Sequence, residues 1–307
     1  MRALAVLAAA IALAGCGFGA GEKKPGGVEL RVTRDFGQRD QHADAKKGEI
    51  RESDTVMRFL QGSHKVTTRF GGGFVQSIDG LAGNQSAEHD WFYYVNGSEA
   101  SKGAADYKLA AGDVVQWDYH DWHATQHVPA IVGAFPQPFA HGLTGKRLPT
   151  RLECEDDRSM ACELVGDRLA KYGVDATSSA IGSPVSNKSL RVIVAKFSVA
   201  RQVLAAKALT KGPATTGVYA KFDAAGTTLS LLDPGGGVAR VAPPGTGLIA
   251  ATQQAEQPVT WLVTGVDDAG VQLAAGSISP AALRNAFAVA VMRGGGGVVK
   301  LPVGGSG

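Results

Sequence analysis

The sequence of 307 residues is short of cysteine, with three, and of aromatic residues, which make up 7%. It has no large charge excess, because 31 basic residues nearly balance 28 acidic ones. This near-balance gives no support for a nucleic-acid partner. Glycine and proline (41 and 13 residues) stay below the low-complexity range, and a 44% hydrophobic content excludes general disorder. The composition is that of a globular protein with about two domains.

Signatures of catalysis are also missing from the sequence. It contains no nucleophile elbow, no HExxH motif and no kinase signature. The glycine runs at 235–237 and 294–297 are not phosphate loops, because no Gly-Lys-Ser/Thr follows either of them. We therefore predict that the protein is not an enzyme and needs no cofactor.

The only long apolar run lies at the start of the chain, from Ala3 to Leu13 after a basic Met1-Arg2. It is too short for a stable membrane span but suits a signal peptide. The sequence that follows, Leu-Ala-Gly-Cys ending at Cys16, resembles the lipobox of bacterial lipoproteins. The resemblance implies removal of residues 1–15, lipidation of Cys16 and an extracytoplasmic, membrane-anchored protein with a tether over 16–27. The alternative is a plain secretory peptide with an incidental cysteine.

The two remaining cysteines, Cys154 and Cys162, form an even pair in an oxidising compartment. Such pairs favour a disulfide. A metal-binding pair is the competing interpretation, but the close cysteine or histidine partners of a zinc site are missing from the neighbouring sequence. We predict the disulfide.

Residues 28–128 show the pattern of a first domain rich in strands. Alternating polar and apolar residues predict a strand over 28–34, a second near 48–52 and further strands over 65–70, 74–78, 90–95 and 113–119. Ser53-Asp54 can cap a short helix over 55–61. Asn96-Gly97 marks a turn after an aromatic run.

Three motifs in this domain lead to a family. They are Phe74 to Gly80 (FVQSIDG), Asp90 to Gly97 (DWFYYVNG) and Gly112 to Trp117 (GDVVQW). Together they resemble the transcobalamin-like C-terminal domain family, over about a third of the chain. The resemblance implies an α+β, β-grasp-like fold and a ligand such as a corrinoid. The sequence shows no sign of the helical domain that completes the cobalamin site in the vitamin carriers, so cobalamin itself is not carried over.

The aromatic residues of these strands are the candidate ligand-binding groups. Alternation places Trp91, Tyr93 and Val95 on one sheet face and Phe92 and Tyr94 on the other. One face can build the core, and the other can leave aromatic rings for stacking on a flat or sugar-like ligand. The alternative is that every ring packs inside the protein and that Asn96 serves only the turn. The candidate ligand-binding residues are Trp91, Tyr93, Tyr94, Asn96, Trp117 and Tyr119.

A histidine-rich segment follows the last strand of this domain. His120, His123 and His127 are spaced so that a turn or helix could bring their ring nitrogens together on zinc or copper. The alternative, which we favour, is that His120 and Asp118 hold the loop by hydrogen bonds while the other two histidines are exposed. We predict no metal, with these three histidines as the second choice.

The rest of the chain predicts an apolar, proline-spaced connector over 129–145, packed against its neighbours, and then an α/β domain over 146–307. Strands are expected at 150–154, near Val174 and at 190–195, with helices over 161–172 and 198–209. Shifting the chain by 69 residues aligns about 190–233 with about 259–302 in a strand-helix-strand-strand order. This match favours duplicated halves.

The functional expectation combines the lipobox with the first domain. We expect a membrane-anchored, extracytoplasmic, non-catalytic protein that binds a small ligand of corrinoid-like, flat or sugar-like form. The alternative is an envelope scaffold or protein-interaction module that works through envelope protein partners and has no small-molecule ligand.

Overall fold

The computed structural model describes residues 23–255, 257–294 and 297–304. The predicted signal peptide and Cys16 lie outside the described residues. Strands and helices are mixed, as predicted, and the strands form several sheets. The first group of strands is β1 (Lys24–Arg34), β2 (Arg39–Asp40), β3 (Ala45–Ile50), β4 (Val66–Arg69), β5 (Phe74–Ile78), β6 (Leu81–Ala82), β7 (His89–Val95), β8 (Ser98–Glu99) and β9 (Val114–Asp121).

The strands of the second group are β10 (Thr150–Cys154), β11 (Ala176–Ala180), β12 (Leu190–Lys196), β13 (Ala220–Phe222), β14 (Leu229–Leu232), β15 (Val238–Val241), β16 (Gly247–Thr252), β17 (Val259–Gly265), β18 (Ala288–Met292) and β19 (Gly297–Leu301). The helices are α1 (Val56–Ser63), α2 (Met160–Ala170), α3 (Phe197–Ala200), α4 (Leu204–Lys207), α5 (Pro213–Thr216), α6 (Asp268–Ser277) and α7 (Pro280–Leu283). No helix in the part of the chain that the structure describes has the length and apolar content to cross a bilayer.

A six-stranded mixed sheet organises the first part of the chain. Its order is β2-β1-β9-β7-β8, with β3 also paired to β1, and β1 and β9 run parallel. Strand β1 begins earlier than predicted, at Lys24, because it pairs with β3 from Lys24 opposite Ile50. The end of the predicted tether, 24–27, is therefore strand.

Helix α1 lies in the core beneath this sheet. Its buried residues Val56, Met57 and Leu60 belong to the same apolar cluster as Trp91 and Trp117 of the sheet. The helix is capped by Thr55, whose Oγ1 accepts the Arg58 N–H, and not by the Ser53-Asp54 pair of the prediction. A small antiparallel sheet, β4-β5-β6, contacts strand β7 on that side.

A seven-stranded sheet organises the second part, in the order β11-β10-β12-β17-β16-β18-β19. Strands β10, β11, β12 and β17 are parallel, and β16, β18 and β19 pair antiparallel. Helices α2 and α6 pack against each other. The predicted disulfide is confirmed: Cys154 at the end of β10 is bonded to Cys162 in α2.

The predicted helix over 198–209 is broken into α3, α4 and a final 3-10 turn. Phe197, Ala200, Ala206 and Leu209 are all fully buried. On one straight helix these positions would point in several directions, so the breaks turn them toward one core. Strands β15 and β16 were not predicted, and β16 lies between β17 and β18 of the second proposed half.

The 69-residue offset recurs in the strand pairing. Strand β12 pairs in parallel with β17 so that Leu190 faces Val259. In the β13–β14 hairpin Ala220 faces Leu231, and 69 residues later Val289 faces Lys300 in the β18–β19 hairpin. The two hairpins share their register but join different sheets.

The apolar connector packs between the two large sheets, with Ile131, Val132, Phe135 and Phe139 fully or almost fully buried. Direct hydrogen bonds also join the two parts. Arg31 of β1 donates to Oδ1 of Asn285 at 3.3 Å and to the Gly133 carbonyl of the connector at 2.8 Å, and Gln116 of β9 donates to the Asn285 carbonyl at 3.0 Å.

Candidate functional site

The six-stranded sheet is covered on both faces. Trp91, Tyr93, Trp117 and Tyr119 face α1 and the small sheet, as their shared cluster shows. Phe92 and Tyr94 face the second part of the chain. The two-face alternation predicted for β7 is therefore present, but the open aromatic face is not, because other elements pack on each side.

Two of the predicted ligand-binding residues serve packing or turns. Tyr94 is 1% exposed and packs edge-on against Phe287, with ring centroids 5.3 Å apart. Asn96 is fully buried at a positive φ of 54°. Its amide donates to Asp113 at 2.8 Å and to the Gly142 carbonyl at 2.9 Å, so it fixes the turn to the connector. Neither residue reaches an open site.

Three other predicted residues border a cavity of about 200 Å³. Trp91, Tyr93 and Trp117 form one wall, Phe74 and Val75 of β5 form another, and the segment from Glu99 to Ala104 forms the third. Tyr93 stacks on Trp117 with ring centroids 4.8 Å apart. The sixth predicted residue, Tyr119, packs beside Trp91 and is not among the cavity lining.

Exposed aromatic rings stand at this cavity. Phe74 is 40% exposed, and Phe70, at the tip of the β4–β5 hairpin, is 86% exposed. The two rings pack edge to face with centroids 6.3 Å apart. Phe74 lines the cavity and Phe70 packs against it from outside the lining, so the two rings extend the apolar surface of the cavity mouth.

A second cavity, of about 260 Å³, adjoins the first and shares Phe92 and Glu99 with it. Its lining combines one further ring, Trp122, with the polar side chains of Gln85, Asp90, Gln126 and His127. Burial raises the pKa of the Asp90 carboxyl, against the opposing effect of the Trp91 N–H that it accepts at 2.8 Å. Rings beside hydrogen-bonding groups suit a sugar-like ligand.

The histidine-rich segment does not form a metal group. His120 is 2% exposed, and its Nδ1 lies 2.8 Å from Oδ2 of the fully buried Asp118. His123 and His127 are exposed and paired with Glu88 and Glu99 respectively. The three rings thus have separate carboxylate partners. The expected loop-holding role of His120 and Asp118 is not seen, because Asp118 accepts the N–H groups of Phe36 and Gly37 in the β1–β2 turn.

A different set of metal-ligating side chains does come together. Within the described residues His42, His64 and Asp79 place one candidate ligand atom each within 4.8 Å of one another. Sequence patterns do not reveal this group, because its members are 22 and 15 residues apart on three separate segments. Asp79-Gly80 is a turn-forming pair, and a turn is all that the local sequence indicates there.

The second part of the chain has an open crevice at the carboxyl ends of β10, β12 and β17. This crevice of about 370 Å³ lies between the starts of α2 and α6. Lys196 crosses it, with Nζ 3.2 Å from Glu155 and 3.1 Å from Asp268. Asp267 caps α6 by accepting the Gly270 N–H. Lys196 thus pairs with two of the three carboxylates that line the crevice, Glu155, Asp156 and Asp268.

Comparison with known proteins gives a family match for part of the first region. Residues 53–121 match a family model described as a domain of unknown function, DUF4430. That description does not name the transcobalamin-like family. The matched span contains α1, the small sheet and strands β7 to β9, and hence most of the cavity lining.

One solved structure similar to the chain is described as a "putative metal binding protein from Ruminococcus gnavus ATCC 29149". It shares 12% sequence identity and gives a TM-score of 0.24, and the match covers 31% of this chain and 97% of that one. A likeness this weak supports no statement about the present chain. None of the curated proteins matches the present chain.

Proposed function

We propose that the protein is a lipid-anchored, extracytoplasmic binding protein that is non-catalytic and takes up a flat or sugar-like ring at the two adjoining cavities of its first region. The mixed sheet with its single helix supports the β-grasp-like, transcobalamin-like interpretation of that region. The observation that carries the proposal is the exposed Phe70–Phe74 pair beside walls made of Trp91, Tyr93 and Trp117.

The volumes of the two cavities limit the size of the ligand. Drug-sized ligands occupy pockets of about 300 to 1,000 Å³. The two cavities, of about 200 and 260 Å³, fall below that range. A single aromatic ring or sugar unit fits this space, whereas a corrinoid would rest on the surface with only one group inserted.

Ligand titrations test the proposal. Tryptophan fluorescence and calorimetry are recorded while short glycans, haem and cyanocobalamin are added in separate series. We expect saturable binding of one class and a tenfold or greater loss of affinity for Phe74→Ala. Val241→Ala, which removes an exposed apolar side chain in β15, is the matched control. Absence of binding by every class, or equal affinities of the two variants, would refute the proposal.

The anchor needs its own test because Cys16 lies outside the described residues. Mass spectrometry of membrane-extracted protein should show an acylated N-terminal Cys16. Cys16→Ser should move the protein from the membrane fraction to the soluble extracytoplasmic fraction. An unmodified chain with the same distribution as the variant would contradict lipidation.

The exposed hairpin tip also favours a second candidate, an envelope scaffold. Phe70 lies at a solvent-facing turn, where a partner protein could cover it. In that case Phe70→Ser should abolish crosslinking to a specific envelope protein, and no small ligand should bind at the cavities.

A further inference from the structure

His42, His64 and Asp79 come together in the first region, and none of them lines either aromatic cavity. His42 lies in the loop between β2 and β3, and His64 is the residue that ends α1. Asp79 begins the turn between β5 and β6. Three elements of the fold are thus joined through three side chains whose ligand atoms lie within 4.8 Å of one another.

The Asp79 carboxylate is held in a fixed orientation. Its Oδ1 accepts the backbone N–H of Lys65 at 2.7 Å, which leaves Oδ2 directed at the two rings. Oδ2 lies 2.7 Å from Nδ1 of His64 and 2.9 Å from Nε2 of His42. A backbone donor on the outer oxygen is the kind of support that metal-ligating carboxylates receive from their surroundings.

The ring of His42 lacks the hydrogen bond that a buried ring nitrogen normally makes. Its Nε2 atom is shielded from solvent and makes no hydrogen bond among the described residues, although a carboxylate oxygen is 2.9 Å away. The His42 ring is therefore close enough to Asp79 for a hydrogen bond, but its Nε2 is not aligned with the carboxylate oxygen. A buried ring nitrogen without a donor or acceptor is costly unless another group satisfies it.

The position favours a cation. The C-terminal end of a helix carries partial negative charge, and His64 is the capping residue of α1. The last turn of α1 contains no basic side chain that would neutralise this end. The ring centroids of His42 and His64 are 5.0 Å apart, so both rings border the same small volume in front of Asp79.

We propose that His42, His64 and Asp79 bind a divalent transition-metal ion, with zinc as the best match. Two imidazole nitrogens and one carboxylate oxygen are zinc ligands, whereas magnesium and calcium prefer oxygen alone. Three protein ligands leave the fourth position of a tetrahedral ion to water or to a donor from a bound molecule. This site is independent of the aromatic cavities.

The side chains need only a small movement to reach metal geometry. With zinc bonds of 2.0–2.2 Å, tetrahedral ligand atoms stand about 3.3 Å apart. The present separations of 2.7 and 2.9 Å from Oδ2 are about half an ångström shorter. The two ring nitrogens lie within 4.8 Å of each other, so metal binding also requires the rings to approach to about 3.3 Å. Rotation of the His42 ring, whose side chain is 36% exposed, allows this adjustment.

Calorimetry with zinc chloride tests the site directly. The full chain is purified in detergent without a histidine tag, stripped with EDTA and titrated with zinc, with magnesium as a comparison. We expect one zinc equivalent at this site, and His42→Gln, His64→Gln and Asp79→Asn should each weaken its binding at least tenfold. A cobalt-loaded protein should show tetrahedral visible absorption that His42→Gln removes.

The exposed histidines provide the matched controls. His123→Gln and His127→Gln remove rings of the same kind from the same region and should leave zinc affinity unchanged. His42→Gln removes no aligned hydrogen bond but does remove the 2.9 Å contact with Asp79, so its unfolding midpoint in EDTA should lie close to that of the parent and show that the variant is folded. Absence of zinc binding, or a His42→Gln variant that binds like the parent, would overturn the proposal. So would a loss of binding confined to the control variants.

Discussion

In the seven-stranded sheet every residue of β16 and β17 is buried, whereas only three of the seven residues of β7 in the six-stranded sheet are buried. The central strands of the second sheet are aliphatic runs covered on both faces, as sheets with parallel strands require. Their interior leaves no room for a ligand. Strand β7 instead presents aromatic side chains at two cavities, and the region around it holds the histidine-carboxylate group.

The grouped polar side chains of the two regions differ as well. In the second region the crevice at the strand ends contains a lysine that pairs with two carboxylates. In the first region Nε2 of His42 makes no hydrogen bond among the described residues, although buried atoms without a partner, such as Trp261 Nε1, also occur in the second region. The partly exposed strand β7 and the cavities beside it therefore support our proposal that the first region carries the binding sites.

Trp261 gives the largest expected effect. It is 2% exposed on β17 and packs against Phe139 with ring centroids 5.0 Å apart. Trp261→Ala should lower the free energy of unfolding by about 3–5 kcal/mol, since it leaves a large cavity. Trp261→Phe should cost only about 1 kcal/mol, because the ring Nε1 makes no hydrogen bond among the described residues.

Chemical denaturation measures both variants, and ligand and zinc titrations of the folded proteins complete the test. The comparison predicts unchanged affinities at both sites of the first region. A Trp261→Phe variant that folds but loses zinc or ligand affinity would show that the second region contributes to binding.

Removal of the disulfide has the second-largest expected effect on the free energy of unfolding. Cys154 and Cys162 close a short loop between β10 and α2. Replacing both with serine should lower the free energy of unfolding by about 2–3 kcal/mol, mainly by freeing the unfolded chain. The measurement is the denaturation midpoint of the variant beside that of the oxidised parent. Equal midpoints would mean that α2 is held by packing alone.

Sequence patterns were sufficient for elements with strong local signals. Strands β5 and β10 have the bounds that the sequence patterns predict. Sequence patterns did not predict elements whose structure depends on residues far away in the sequence. Strand β16 is an apolar segment whose place depends on its neighbours β17 and β18, and the helix over 198–209 is broken because its buried residues would surround a straight helix.

The sites show the same limit. Alternation separated the rings of β7 correctly, but it could not reveal that the second part of the chain covers Tyr94 and Phe92. The histidine spacing near His120 drew attention to a segment whose rings have separate partners. His42 and His64 have no mutual spacing signal, because only the tertiary fold brings loop, helix end and turn together.

Asp54 tests the first region through pH. It accepts hydrogen bonds from Lys47 and from the Arg51 N–H. Burial would raise the pKa of its carboxyl, but these bonds and the two positive charges lower it overall. A lowered pKa in the folded state means stabilisation that is present above the ordinary value near 3.9 and is lost as pH falls through the folded pKa.

Asp54→Asn should therefore cost on the order of 1 kcal/mol at pH 7, the upper range for a solvent-accessible pair. The difference in unfolding midpoint should shrink as pH falls below the ordinary aspartate pKa and disappear once the folded carboxyl of the parent is protonated as well. Denaturation curves at pH 7, 5 and 3 provide the check. A constant difference across that range would show that charge is not the cause.

Lys196→Met gives the smallest expected effect on the free energy of unfolding and tests the crevice of the second region. The ion pairs of Lys196 are partly exposed, and the exposed side-chain fraction of Asp268 is 84%. Such pairs contribute about 0–1 kcal/mol, so the unfolding free energy should change by less than about 1 kcal/mol.

The variant also leaves Glu155 and Asp268 facing each other without a cation. If it then binds calcium while the parent does not, the lysine is what prevents this crevice from acting as a site. If it binds nothing, the second region is structural even with its crevice opened.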